Sequence, residues 1–171
     1  RRVQNLRPEQ IVLAGDSAGG GLALALMAHL LNDGQRPAGL IGFSSWTDLT
    51  LTGPSLKINE KSDAILIAAR MPELCDIVLA GADPADPRIS PLFATWTNPP
   101  PVYLQASKTE ILLDDTLRMA DVLRTAGGEV TVDLWPDAPH VWRSTPETRA
   151  ECEFELGRHH GVAHSKFREQ R

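Results

Sequence analysis

Residues 15–20 read Gly-Asp-Ser-Ala-Gly-Gly, with Ile11-Val12-Leu13-Ala14 directly before them and a stretch rich in strong helix formers directly after. This juxtaposition constrains the chain more than any other feature. A strand that passes into a helix through a glycine-flanked serine makes a sharp, strained turn, which lifts the serine hydroxyl above the edge of a sheet. Gly15 and Gly19 are expected to leave room where a Cβ would collide with neighbouring backbone. Ser17 then stands at a helix N-terminus, where partial positive charge favours a developing anion, and the N–H of Ala18 is placed to donate to an oxyanion. The bare G-x-S-x-G pattern arises by chance in on the order of one chain in twenty of this length. Its setting between strand and helix gives it weight. A dinucleotide-cradling loop would instead need G-x-G-x-x-G, which residues 15–20 do not supply.

The rest of the chain alternates short apolar runs with helical patterns, the mark of an α/β fold with a mostly parallel sheet and flanking helices. Ile11–Ala14 reads as a short buried strand, Gly15–Gly21 as the turn after it, and Ala18 to Asn32 as a helix stopped by Asp33-Gly34. Further strands are expected at Gly39–Phe43, Pro101–Gln105 and Val130–Trp135. A helix is expected from Asp114 to Thr125, ended by Gly127-Gly128. Ten of the thirteen prolines fall between Pro54 and Pro139, and from Gly53 to Pro101 no long strand appears. The part at about 53–85 reads as a short, cap-like helical excursion.

Composition narrows the function classes. Of 171 residues 42% are hydrophobic and 23% charged, as in a globular domain with a sizeable core, and the formal net charge is -5. A mildly acidic chain has no electrostatic reason to seek nucleic acid or an anionic membrane. Cys75 and Cys152 are far apart and form no disulfide framework or zinc spacing. The longest apolar-rich stretch, Gly20 to Leu31, is too short to span a bilayer, and no signal-peptide pattern opens the chain. A cytoplasmic location is the default expectation, although the chain begins at Arg1 and a targeting segment could stand upstream.

A serine hydroxyl is too weakly acidic to attack an acyl carbon unaided. It needs a general base, and the base needs an orienting carboxylate, in the chain order Ser, acid, His. Among the five histidines, His29 lies inside a helix before any candidate acid, and His159, His160 and His164 lie in a polar tail. His140, in the loop after strand Val130–Trp135, is the candidate base. For the acid, Glu110 follows strand PVYLQ, where sites in such sheets form. Asp114 is the alternative, but Asp114 and Asp115 open a helix, where capping and dipole stabilisation are the ordinary roles.

The chain resembles the hormone-sensitive-lipase family of bacterial esterases, the α/β hydrolase fold-3 group. The stretches that carry the resemblance are GDSAGGGLALAL (15–26), SSWTDLT (44–50), DPRISPLFA (86–94), PPPVYLQASKTEILLDD (99–115) and WPDAPHVW (135–142). It implies a Ser17–Glu110–His140 triad, hydrolysis of small carboxylic esters with short or medium acyl chains, and no metal or cofactor. Trp46, Val141 and Trp142 are candidates for the pocket wall, and Asp48 and Ser90 for loop ties with a structural role. The alternatives are an amide or lactone hydrolase on the same triad, or a non-catalytic remnant. Among partners the reading leaves a homodimer open and expects neither nucleic acid nor membrane.

Two departures from the family qualify these expectations. The family's His-Gly-Gly-Gly loop, which completes the oxyanion hole, has no counterpart here, nor do the first strands of the sheet. The chain is therefore expected to be the C-terminal part of a protein nearly twice as long, inactive in isolation for want of that loop. After Trp142 the resemblance fades. Residues 1–142 are accordingly expected to form the catalytic part, and 143–171 a polar C-terminal helix with a frayed tail.

Overall fold

The computed structural model describes residues 6–142. The expected helix and tail at 143–171 lie outside the described residues. The chain divides into two units, Arg1–His140 and Val141–Arg171, each taken by itself.

In the first unit the order is β1 (Val12–Asp16), α1 (Ser17–Asn32), β2 (Gly39–Phe43), α2 (Ser55–Ile58), α3 (Met71–Leu79), β3 (Val102–Ser107), α4 (Leu113–Thr125) and β4 (Val130–Trp135). The four strands form one sheet in sequence order, every neighbouring pair parallel. Leu40 pairs with Val102, and Val102 with Val130, so these three apolar residues form a row across the sheet. Ala23, Leu24, Met27 and Ala28 of α1, with Met119, Ala120 and Leu123 of α4, pack on Leu40, Val102 and Leu104. Each such leucine or methionine, once out of water, contributes about 1.5–3 kcal/mol, and this cluster fixes both helices on the sheet.

Between β2 and β3 the chain makes only short helices, α2, α3 and single 3₁₀ turns at Ala68–Arg70 and Pro91–Phe93. They close over a second cluster of Trp46, Leu49, Met71, Cys75, Ile111 and Leu112. The prolines limit the elements here, since each removes a backbone donor; Pro72 is accommodated in the first turn of α3, where that donor has no partner in the helix.

β2 and β4 occupy the expected residues, and β3 runs on to Ser107. β1 departs from expectation. It is shifted to Val12–Asp16, with Gly15 and Asp16 paired to Gly42 and Phe43, and α1 begins at Ser17 with no intervening turn residues. It is also not buried: Ile11 is 38% and Val12 42% exposed. The reason is position. Among the described strands β1 pairs with β2 alone, and an edge strand has side chains that a central strand would cover.

Candidate active site

The junction of β1 and α1 brings Ser17 to a positive φ of 50, a conformation that costs a non-glycine residue about 1–3 kcal/mol and is held only where surroundings enforce it. Those surroundings are visible. A Cβ added at Gly15 would lie 2.2 Å from the carbonyl oxygen of Gly19, one at Gly20 2.2 Å from Ser45 Oγ, and one at Gly21 2.0 Å from the carbonyl oxygen of Trp46. The N–H of Trp46 donates to the carbonyl of Ser17 at 2.9 Å. The expectation for Gly15 therefore holds, but that for Gly19 does not. A Cβ at Gly19 would meet only Asp16 Oδ1, at an ordinary 3.6 Å. The close approaches fall instead on Gly20 and Gly21, because α1 is pressed against the chain leaving β2.

His140 follows β4 after the Pro136–Pro139 loop, and its side chain is 6% exposed. Its Nε2 lies 2.8 Å from Ser17 Oγ, and its Nδ1 lies 2.6 Å from Glu110 Oε2. The structure thus joins Ser17, His140 and Glu110 in one run of hydrogen bonds. Glu110, 1% exposed, receives two further bonds on its other oxygen: Ser44 Oγ donates at 2.9 Å and the N–H of Ser107 at 2.6 Å. Its backbone is held too, since Asn59 Nδ2 donates to the carbonyl oxygens of Glu110 (2.7 Å) and Lys108 (2.9 Å). Asp63 Oδ2 accepts the N–H of Ile111 at 2.9 Å, and Ser55 Oγ donates to its carbonyl at 2.7 Å. The excursion after β2 is therefore a strap over the loop that carries Glu110. Thr109 Oγ1 donates to the carbonyl of Ala138, tying that loop to the one before His140.

The other singled-out residues are placed as follows. Asp114 does not reach His140; its carboxylate accepts the N–H of Ser55, while its own N–H donates to Ser55 Oγ at 3.0 Å. Asp115 accepts the N–H groups of Thr47 (2.7 Å) and Asp48 (2.9 Å). The capping expectation for this pair is thus corrected. No side chain caps α4 at Leu112, and both carboxylates instead bond backbone of the long β2–β3 connection, although both remain in the helix's first turn. Burial pushes the Asp115 carboxyl up to about 7 in spite of its bonds to Thr47 and Asp48. Burial also raises that of Asp48, but bonds from Thr50, Thr52 and Arg118 outweigh it and hold the group below the usual carboxylate range. Ser90 Oγ accepts the N–H of Leu49 at 2.9 Å and donates to the carbonyl of Pro84 at 2.7 Å.

Trp46 is packed in the second cluster, 8% exposed, with Nε1 donating to the carbonyl of Asp48 at 3.2 Å. Ala18 is exposed in the first turn of α1. Val141, at φ 54, and Trp142 belong to the second unit. His29 is exposed beside Asp33. Among the described residues no His, Cys, Asp and Glu cluster is placed to hold a metal, and no helix is long and apolar enough to cross a membrane.

Sequence reasoning missed Ser44, Asn59, Asp63 and Ser107. Ser44 had a signal: it is a polar residue directly at the C-terminal end of an apolar strand, the edge from which parallel sheets build their sites.

Comparison with known proteins fits this architecture. A family model described as alpha/beta hydrolase fold matches residues 2–144. An esterase of Acinetobacter venetianus is 40% identical over 135 residues, which are 78% of this chain and 45% of that protein. An acetyl-hydrolase of Streptomyces hygroscopicus is 36% identical over 140 residues, 81% of this chain and 47% of that protein. A solved esterase from the bacterial hormone-sensitive lipase family superposes with a TM-score of 0.81 at 34% identity, covering 86% of this chain and 51% of that one. The chain spans about half the length of the curated relatives it matches. A match that runs through all four strands places the chain in the alpha/beta hydrolase fold family.

Proposed function

We propose that this chain carries the reacting groups of a serine carboxylesterase. Ser17 is the nucleophile, His140 the general base and Glu110 the acid that orients it. The observation that carries the reading is the unbroken contact from Ser17 Oγ through both ring nitrogens of His140 to Glu110 Oε2. With Nδ1–H donated to the carboxylate, Nε2 is left as the acceptor for the serine proton.

As Ser17 Oγ bonds to the ester carbonyl carbon, its proton passes to His140 Nε2, and Glu110 stabilises the imidazolium. The carbonyl oxygen becomes an oxyanion, and the N–H of Ala18 at the head of α1 is a donor for it. Collapse breaks the bond to the alkoxy group, which leaves with the proton from Nε2. Water then loses a proton to the same nitrogen and attacks the acyl-serine, which returns free acid and Ser17. Short acyl chains are the proposed substrates, a preference supported by the acetyl-hydrolase among the relatives.

The test is hydrolysis of p-nitrophenyl esters of graded chain length by the longest available form of the protein. Ser17→Ala should abolish turnover, Glu110→Gln should depress it strongly, and Asp114→Asn should leave most of it. Hydrolysis undiminished in Ser17→Ala contradicts the reading, and loss at Asp114 but not Glu110 overturns the choice of acid.

A further inference from the structure

The proposed acid is a glutamate, with one more rotatable bond than an aspartate between backbone and carboxylate. A base oriented by such a long arm needs the arm itself fixed. The two oxygens of Glu110 are used unequally. Oε2 faces His140, while Oε1 receives the Ser44 hydroxyl at 2.9 Å and the Ser107 N–H at 2.6 Å. The Ser107 donor is the last residue of β3, three positions from Glu110 along the same stretch of chain. The Ser44 donor directly follows β2, so it references the carboxylate to a second strand of the sheet.

Ser44 is built for that task. It is fully buried, at the end of β2, and its N–H donates to the carbonyl of Gln105 at 2.7 Å, locking it to β3. It takes a φ of 47, in the left-handed region that glycine would occupy without strain. A serine held there is of use only for its side chain, and the partner of that side chain is Glu110.

From this geometry we infer that Ser44 is a positioning residue for the reaction: its hydroxyl pins Glu110 Oε1 so that Oε2 alone meets His140. The inference rests on the triad reading above. Two charged or titratable groups bear on the Glu110 loop by direct bonds: His140 from the β4 loop, and Asp63 through the N–H of Ile111. Removing the Ser44 hydroxyl leaves the carboxylate less compensated, so it holds the imidazolium more tightly and less well aligned.

The test uses Ser44→Gly, which keeps the backbone comfortable, together with Ser44→Ala, both in the longest available form of the protein. The first readout is the rate at which a fluorophosphonate labels Ser17, followed against pH. Both variants should label about tenfold more slowly, with the acidic limb of the profile moved to higher pH. The second readout needs no activity: the proton on His140 Nδ1, observed by NMR in chain carrying 15N-histidine. It should shift and exchange faster with water in both variants. Labelling at the unaltered rate and pH profile, with an unmoved Nδ1 proton, overturns the role of Ser44 and leaves the triad intact. A parent that never labels in the longest available form of the protein, yet shows an Nδ1 proton that responds to Ser44, sinks the esterase reading and keeps the contact between Ser44 and Glu110 as a structural one.

Discussion

The hydroxyl oxygen of Ser107 accepts the backbone N–H of Ala138 at 3.0 Å, joining the end of β3 to the loop that follows β4. Glu110 and His140 arrive on these two segments, so this bond sets the distance between them. The same oxygen also accepts the N–H of Thr109, which shapes the tight turn before Glu110. Ser107→Ala should leave the Ala138 N–H without an acceptor and lower stability by about 1–3 kcal/mol. Activity should fall further than stability explains. Urea unfolding alongside ester turnover reads both, and an unchanged variant would show the two loops to be fixed by other means.

Asp115 should make stability depend on pH in the direction opposite to most carboxylates. Its folded value is raised to about 7 from an ordinary 3.8, so between these values the folded state binds more protons than the unfolded one. The stability it contributes is complete below the ordinary value and is lost as pH rises through about 7. Asp115→Asn keeps an oxygen acceptor for the Thr47 and Asp48 N–H groups and removes the titration. Between pH 5 and pH 8, unfolding free energy should fall more in the parent than in the variant. Parallel pH curves for the two would refute this account of Asp115.

Legibility differed between parts of the molecule. β2 and β4 could be read because each is a compact apolar or alternating run with turn residues on both sides. The exposure of β1 could not, since the Ile-Val-Leu-Ala run looks the same at an edge as in the centre of a sheet. Ser17 and His140 stood out because the chemistry demands those residue types in a fixed order. Ser44, Asn59 and Asp63 act by bonding to a loop more than forty positions away, and no spacing rule announces such a bond. Asp114 and Asp115 were misjudged for the same reason: their helical position was legible, and the chain they brace was not.

The glycines offer a sharp contrast within one turn of α1. Gly19→Ala meets only ordinary contact and should be neutral or gain up to about 1 kcal/mol from helix propensity. Gly21→Ala places a methyl group against the carbonyl of Trp46 and should cost about 3 kcal/mol. Thermal unfolding of the two variants decides the matter, and equal midpoints would contradict the packing described.

Ser45 Oγ is buried and has no hydrogen-bond partner, wedged beside Gly20 and Gly42. Ser45→Ala keeps the Cβ and removes a hydroxyl that gains nothing from its surroundings. The variant should match the parent or exceed it by about 1 kcal/mol. A clear loss of stability on urea unfolding would mean that the hydroxyl is satisfied in solution.

The central claim is that Ser17 becomes acylated with the help of His140. The most direct measurement is peptide mass spectrometry after brief reaction with p-nitrophenyl acetate and acid quenching, on the parent and on His140→Ala. The account predicts an acetyl group on the peptide that contains Ser17 in the parent and almost none in the variant. Acetyl groups at another residue, or equal labelling of Ser17 with and without the imidazole, would contradict it.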